Sequence, residues 1–302
     1  MSLLVVGSVA FDAIQTPFRE AERVLGGAAT YFSVAASYFV PVRLVGIVGE
    51  DFRPADAAVF RGRRIDLAGL ERAPGKTFFW AGRYSADMND RTTLATELNV
   101  FAQFNPKLPP AYRDAPYVFL ANIDPSLQLS VLRQMQNRPR LVALDTMNYW
   151  IERTPAELRE MLRHVDVLMI NDTETRQLSS EHNLLRAAHR IFKMGPKILV
   201  IKRGEFGALM VSGDSVFVAP GLPLEEVQDP TGAGDSFAGG FMGYLAKVKR
   251  VNDATLRRAV VYGTVMGSFT VERFGLERLR ALKTMDIEAR ARHYARLTRV
   301  KA

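Results

Sequence analysis

The sequence predicts an α/β fold: a mostly parallel central sheet covered by helices on both faces, with a small β-sheet attached as a lid. Three observations predict it. Short, continuous apolar runs recur along the 302 residues, as strands buried on both faces require. They alternate with segments of helical periodicity, the order that generates parallel pairing. One segment, residues 76–104, breaks the alternation and reads as β-hairpins instead.

In chain order, core strands are expected at Leu3–Gly7, Val42–Val48, Tyr117–Ala121, Leu141–Asp145, Asp166–Ile170, Lys197–Lys202 and Ala208–Val211. An apolar helix runs from Tyr31 to Phe39. Thr154-Pro155-Ala156-Glu157 reads as a capping box with proline at the first helical position. Gly195-Pro196 ends the helix that runs back from Met194. Residues 252–274 are helical in pattern, with Asn252 or Asp253 as N-cap. The hairpin segment is aromatic, with Phe78, Phe79, Trp80, Tyr84, Phe101 and Phe104. Alternate strand residues face opposite sides, so one set of rings could cover a ligand while the other packs on the core or on a second subunit's lid. No Ser-, Gly- or Pro-rich linker divides the chain. One domain, 1–302, is expected, its lid formed from about 11–25 and 76–104.

Hydrophobic content of 48% and charged content of 24% fit a globular protein with a sizeable core. No apolar run approaches the roughly 20 residues of a membrane span, and the N-terminus lacks the basic region of a signal peptide. A cytoplasmic location is expected. Cysteine is absent, which excludes disulfides, thiolate catalysis and Cys-ligated metals. His164, His182, His189 and His293 show no ligand spacing. The net charge of +8 is concentrated between Arg278 and Lys301, which reads as a solvated helix face. Without an aromatic-interleaved basic patch, nucleic acid is not an expected partner.

The most informative stretch is Asp229-Pro230-Thr231-Gly232-Ala233-Gly234-Asp235-Ser236-Phe237. Its glycines permit a tight turn in which successive N–H groups point at one anion. Phe237, Phe241, Tyr244 and Leu245 then recur at helical spacing, so the turn opens a helix whose N-terminus favours phosphate. An acid, Asp235, sits among these amides. That placement suits a reaction in which a hydroxyl loses its proton beside a held phosphoryl group. The pattern lacks the Lys-Ser/Thr of a P-loop, and Gly7-Ser8-Val9-Ala10 lacks a dinucleotide fingerprint, which excludes a Rossmann dehydrogenase.

Asp229–Phe241 resembles the C-terminal signature of the ribokinase (PfkB) carbohydrate-kinase family, which also includes adenosine and other nucleoside kinases. The resemblance extends over nearly the whole chain. It implies a ribokinase-like fold and ATP-dependent transfer of the γ-phosphoryl group to a primary hydroxyl of a sugar or nucleoside. Asp235 would be the base, and the Gly232, Ala233 and Gly234 amides would stabilise the transferring charge. Asp12, with the Gly26-Gly27 pair, matches the family's acceptor site, although Thr30 and Tyr31 stand where its asparagine is usual. That departure and the aromatic lid tilt the acceptor towards an adenosine-like nucleoside over ribose or fructose. ATP is expected against Lys202, Gly204 and Gly207 of the corner Ile201–Gly207, against Thr231, Gly232 and Gly234, and near Gly263. Asn171 and Glu174 match an Asn-x-x-Glu motif that would orient Mg²⁺ through water. Asp145 ends a strand where the family often has an Asp and Asn, but the spacing differs by a residue, which leaves it a second-choice site residue. Asp229 could support a K⁺ loop, and Asp51 is expected to be structural. A homodimer through the lid is a further expectation. The alternatives are a free-sugar kinase and a catalytically silent regulator.

Overall fold

Four consecutive apolar residues near the N-terminus form strand β1 (Leu3–Val6), buried along its whole length. The computed structural model, which describes residues 2–299, continues through β2 (Ala10–Gln15), β3 (Glu20–Gly26), α1 (Ala28–Ala36), β4 (Val42–Val48), β5 (Ile65–Arg72), β6 (Phe78–Tyr84) and β7 (Arg91–Glu97). Next come β8 (Tyr117–Leu120), α2 (Pro125–Arg133), β9 (Leu141–Leu144), α3 (Asn148–Arg153), α4 (Pro155–Leu162), β10 (Val167–Asn171), α5 (Asp172–Ser179) and α6 (Leu184–Phe192). The chain ends with β11 (Ile198–Lys202), β12 (Ala208–Ser212), β13 (Ser215–Ala219), α7 (Ala233–Val248), α8 (Asp253–Thr270), α9 (Glu277–Ala281) and α10 (Thr284–Leu297).

The main sheet has nine strands in the order β13-β12-β11-β10-β9-β8-β1-β4-β5. It is parallel from β11 to β5, and β12 and β13 add an antiparallel edge. Side chains alternate across it. Leu3, Val5, Tyr117 and Phe119 join the core beneath α1, α7 and α8, where Phe32 stacks on Phe119 with ring centroids 4.3 Å apart. Leu4, Val6, Val118 and Leu120 join the opposite core beneath α2, α4 and α6. Burial on both faces explains the unbroken apolar runs. Strand order reverses around β1, with β4 on one side and β8 on the other. Such a switch point opens a crevice beyond the carboxyl ends of the strands, where α/β sheets bind ligands.

A second sheet of four strands, β3-β2-β6-β7, gathers the two segments expected to form the lid. Its aromatic residues mostly pack. Phe78 stacks on Phe101 and Phe101 on Phe104, at 5.3 and 5.4 Å. Phe79 packs against the core beneath α1. Trp80 packs with the buried Ile14, Tyr84 and Phe274.

Several local expectations are corrected. Thr154 starts α4 without a side-chain cap, because its hydroxyl donates instead to the Trp150 carbonyl of the preceding helix, at 3.2 Å. Asn252, not Asp253, caps α8, accepting from Thr255 N at 3.0 Å. The basic C-terminal segment is partly built in. Arg278 and Arg290 both pair with Glu272, and the Arg290 guanidinium lies 3.5 Å from the centre of the Phe269 ring. Lys301 lies outside the described residues. Among those residues no helix is long and apolar enough to cross a membrane.

Candidate active site

The carboxyl ends of β9, β10 and β11 bring three polar groups into adjacent positions. Asp145 follows β9, Asn171 ends β10 and Lys202 ends β11. Lys202 Nζ donates to Asp145 Oδ2 at 2.9 Å, in a pair whose side chains are only 18% and 8% exposed. Burial opposes the ammonium charge. Asp145, Glu174 and Asp235 outweigh it and hold Lys202 above its ordinary pKa. Asp145, second choice in sequence, is therefore the direct partner of the lysine.

Asn171 and Glu174 form a reciprocal capping box at the start of α5. Glu174 N donates to Asn171 Oδ1 at 2.7 Å, and Asn171 N donates to Glu174 Oε2 at 2.8 Å. The asparagine thus holds the helix end, and the glutamate alone adds charge to the crevice. Burial, then Asp145, raises the Glu174 pKa to about 7.

The signature turn meets this cluster from the other side. Gly232 has φ of 74° and caps α7 without a side-chain contribution. Among the described residues, the N–H groups of Gly232, Gly234 and Asp235 make no bond to another backbone group, whereas Ala233 N donates to Pro230 O at 3.2 Å. Ala233 is thus the least available of the three expected amide donors. A methyl added at Gly234 would lie 3.3 Å from Lys202 Nζ, so the ammonium borders the turn. Asp235 is half-buried in the first turn of α7. Burial and then Asp145 raise its pKa to about 7, against the opposing pull of Lys202 and Arg91. A carboxylate poised there is matched to proton transfer near neutral pH.

The chain leaves β1 through Gly7-Ser8-Val9 and enters the small sheet, which places Asp12 within β2. It is 4% exposed, and burial, Asp229 and Asp235 raise its pKa to about 8. In its protonated form the group can both donate and accept. Its carboxyl group lies over Gly26, where any side chain would overlap it. Gly27, at φ of 91°, starts α1, whose first amides donate to Ser8 Oγ and Ser8 O at 3.0 Å. This close approach requires the diglycine.

The other expected site residues make contacts within the fold. Asp229 is buried, and its carboxylate accepts from Thr231 N and Gly275 N, both at 2.9 Å. The neighbouring Val271 carbonyl accepts from Gln228 N and Asp229 N. Each Asp229 oxygen thus accepts one N–H bond and keeps a second lone pair. Gly207, at φ of 85°, accommodates the backbone of Pro220 and Gly221, and Gly263 packs against the Phe237 ring. Gly204 is exposed in the turn after β11. Thr231 Oγ1 lies 3.0 Å from Tyr84 OH in a buried contact. Asp51 is structural, accepting from Thr77 N and Oγ1 at 2.7 and 2.6 Å. Arg91, which lowers the pKa of Asp12, Glu174 and Asp235, was not singled out in sequence.

This chain is similar to proteins of known activity along most of its length. It is 31% identical over 248 residues to a cytidine kinase of Thermococcus kodakarensis, covering 80% of this chain and 87% of the relative. The crystal structure of a nucleoside kinase of Methanocaldococcus jannaschii superposes with a TM-score of 0.77 at 21% identity, covering 97% of this chain and 98% of that one. A fructokinase of Vibrio cholerae, crystallised with fructose, ADP and calcium, superposes with a TM-score of 0.78 at 20% identity, covering 95% and 98%. The sequence profile of the pfkB family carbohydrate kinases matches residues 2–281. With this match over most of its length and a ribokinase-like fold, the chain belongs to the pfkB family of carbohydrate kinases.

Proposed function

We propose that this kinase transfers the γ-phosphoryl group of ATP to a primary hydroxyl of a nucleoside, with Asp235 accepting the hydroxyl proton. The observation that carries the reading is the convergence of Asp235, the Lys202–Asp145 pair and unpaired amides at one helix N-terminus. The acceptor oxygen bonds to phosphorus as the bond to the departing ADP oxygen breaks. The leaving electron pair goes to ADP and the proton to Asp235. The Gly232 and Gly234 amides and Lys202 meet the charge on the transferring group. Asp12 orients the acceptor, and the small sheet covers it as a lid on one continuous domain. Leu94 and Leu98 are exposed on or beside strand β7, the strip on which a second copy would pair lid to lid.

Asp145, Glu174 and Asp235 carry more negative charge than Lys202 neutralises. Among the described residues no cluster of three acids or histidines could cage a metal. This fits Mg²⁺ held mainly by waters and ATP phosphates, with Glu174 orienting a water. When bound, the ion would neutralise phosphate charge. Glu174→Gln is expected to raise the Mg²⁺ concentration for half-maximal activity while leaving the melting temperature nearly unchanged. An unaltered magnesium titration would remove Glu174 from this role.

The nucleoside assignment draws its support from the similarity to the cytidine kinase. It gains nothing from Phe78 and Phe79, whose rings pack internally. ADP release should be measured across nucleosides, pentoses, hexoses and sugar phosphates. The highest kcat/KM is expected for a nucleoside. A higher value for ribose or fructose would replace this reading with that of a free-sugar kinase.

A further inference from the structure

Arg91 opens β7 at the tip of the β6–β7 hairpin, directly across from Tyr84. Two contacts fasten this tip to the opposite half of the site. Tyr84 OH meets Thr231 Oγ1 of the signature turn at 3.0 Å. Asn89 Nδ2 donates to Glu205 Oε1, in the turn between β11 and β12, at 2.9 Å. The fit is close: a methyl at Gly204 would lie 3.2 Å from Asn89 Oδ1. The tip of the small sheet thus rests on two loops of the phosphate side.

The Arg91 guanidinium lies 5.1 Å from the centre of the Trp80 ring. Among the described residues it forms no ion pair within 4.0 Å. Its charge nevertheless acts on acids from three different elements: Asp12 of β2, Glu174 of α5 and Asp235 of α7. Lys202, by contrast, already has Asp145 as a partner. The site therefore presents one neutralised cation and one unpaired one. A planar guanidinium donates to two oxygens of one phosphoryl group, a geometry that suits the unpaired cation to an anionic ligand.

We infer that Arg91 binds the phosphoryl group in transit, and that the Tyr84–Thr231 and Asn89–Glu205 contacts form the latch that brings it there. This rests on the phosphotransfer reading above. During transfer the peripheral oxygens stay on phosphorus while one P–O bond forms and the other breaks. These oxygens are what the guanidinium meets, opposite Lys202 and the amides. Delivery by the acceptor-side sheet makes the cation arrive only when that sheet is seated on the nucleotide-side loops.

The test uses the full-length protein with the best acceptor from the panel. Arg91→Gln is expected to lower kcat by about 10²-fold with the KM for ATP nearly unchanged, and Arg91→Lys to recover part of the loss. The acid limb of the pH–rate profile should move to higher pH, because Arg91 lowers the Asp235 pKa. The other charged or titratable groups acting on Asp235 or responding to it, Asp12, Tyr31, Asp145 and Lys202, remain in the variant. Asn89→Ala should lower kcat in the parent enzyme and change nothing in the Arg91→Gln background. A kcat for Arg91→Gln within about twofold of the parent would overturn the inference. A loss confined to the KM of phosphorylated acceptors would overturn it too, making Arg91 a reader of the acceptor's own phosphate. Equal losses from Asn89→Ala in both backgrounds would refute the latch. Should Asp235→Asn be inactive while Arg91→Gln is active, only this inference fails. If both are active, the assignment of Asp235 as the base fails as well.

Discussion

Replacing Asp235 with asparagine is expected to lower kcat by about 10²-fold or more while leaving the fold and ATP affinity intact. The substitution preserves shape, and Asp235 has no ion-pair partner among the described residues. What it removes is a proton acceptor. Burial and Asp145 raise the Asp235 pKa to about 7. In the parent enzyme the rate should therefore fall as pH drops through about 7, because the protonated acid cannot take a second proton. The variant should lose that limb of the profile. ADP-release kinetics between weakly acid and weakly basic pH, with nucleotide titration as a binding control, make the comparison. Near-normal turnover by the asparagine variant would end the assignment.

Gly232→Ala is expected to damage both activity and stability. The residue has φ of 74°, a conformation that costs an L-residue roughly 1–2 kcal/mol. Its added methyl would overlap the face of the Tyr31 ring, which is 1% exposed and has nowhere to move. The turn must then lift away from α1, carrying the Gly232 and Gly234 amides with it. Loss of such donors lowers kcat by on the order of 10²-fold or more. Steady-state kinetics and a thermal melt on one preparation check both effects. Unchanged values for both would mean that the turn tolerates a side chain and is not held as described.

Much of the fold was legible because burial on both faces makes β1, β8 and β9 continuous hydrophobic runs and confines the polar residues of β4 and β10 to β12 to Arg43, Asn171, Lys202 and Ser212. The edge strands were harder. In β5 and β13 buried or half-buried residues alternate with exposed ones, so neither makes the continuous run that marked the others. The place of Asp235 in the first turn of a helix, beside amides without backbone partners, was legible from the signature stretch. The Lys202–Asp145 pair was not, because spacing along the chain does not reveal that β9 and β11 flank β10. Arg91 was hidden for a related reason. A lone arginine after a polar turn carries no signal until hairpin register sets it opposite Tyr84. Thr154 misled because a threonine hydroxyl has competing acceptors within one helical turn, and the preceding helix supplied one.

The buried Asp229 gives the protein a kinematic property. Its carboxylate joins the strand of chain entering α7 to the chain leaving α8, by way of Thr231 N and Gly275 N. The open ends of a helical hairpin are thereby fastened into a closed linkage. Phe274, next to one fastening point, is buried against Ile14 and Tyr84 of the small sheet. These contacts connect the small sheet to the amides of the signature turn. Because misplacement by about 1 Å can cost a reaction on the order of 10²-fold, the mechanical tolerance of the whole site is set at a carboxylate that need never touch a substrate.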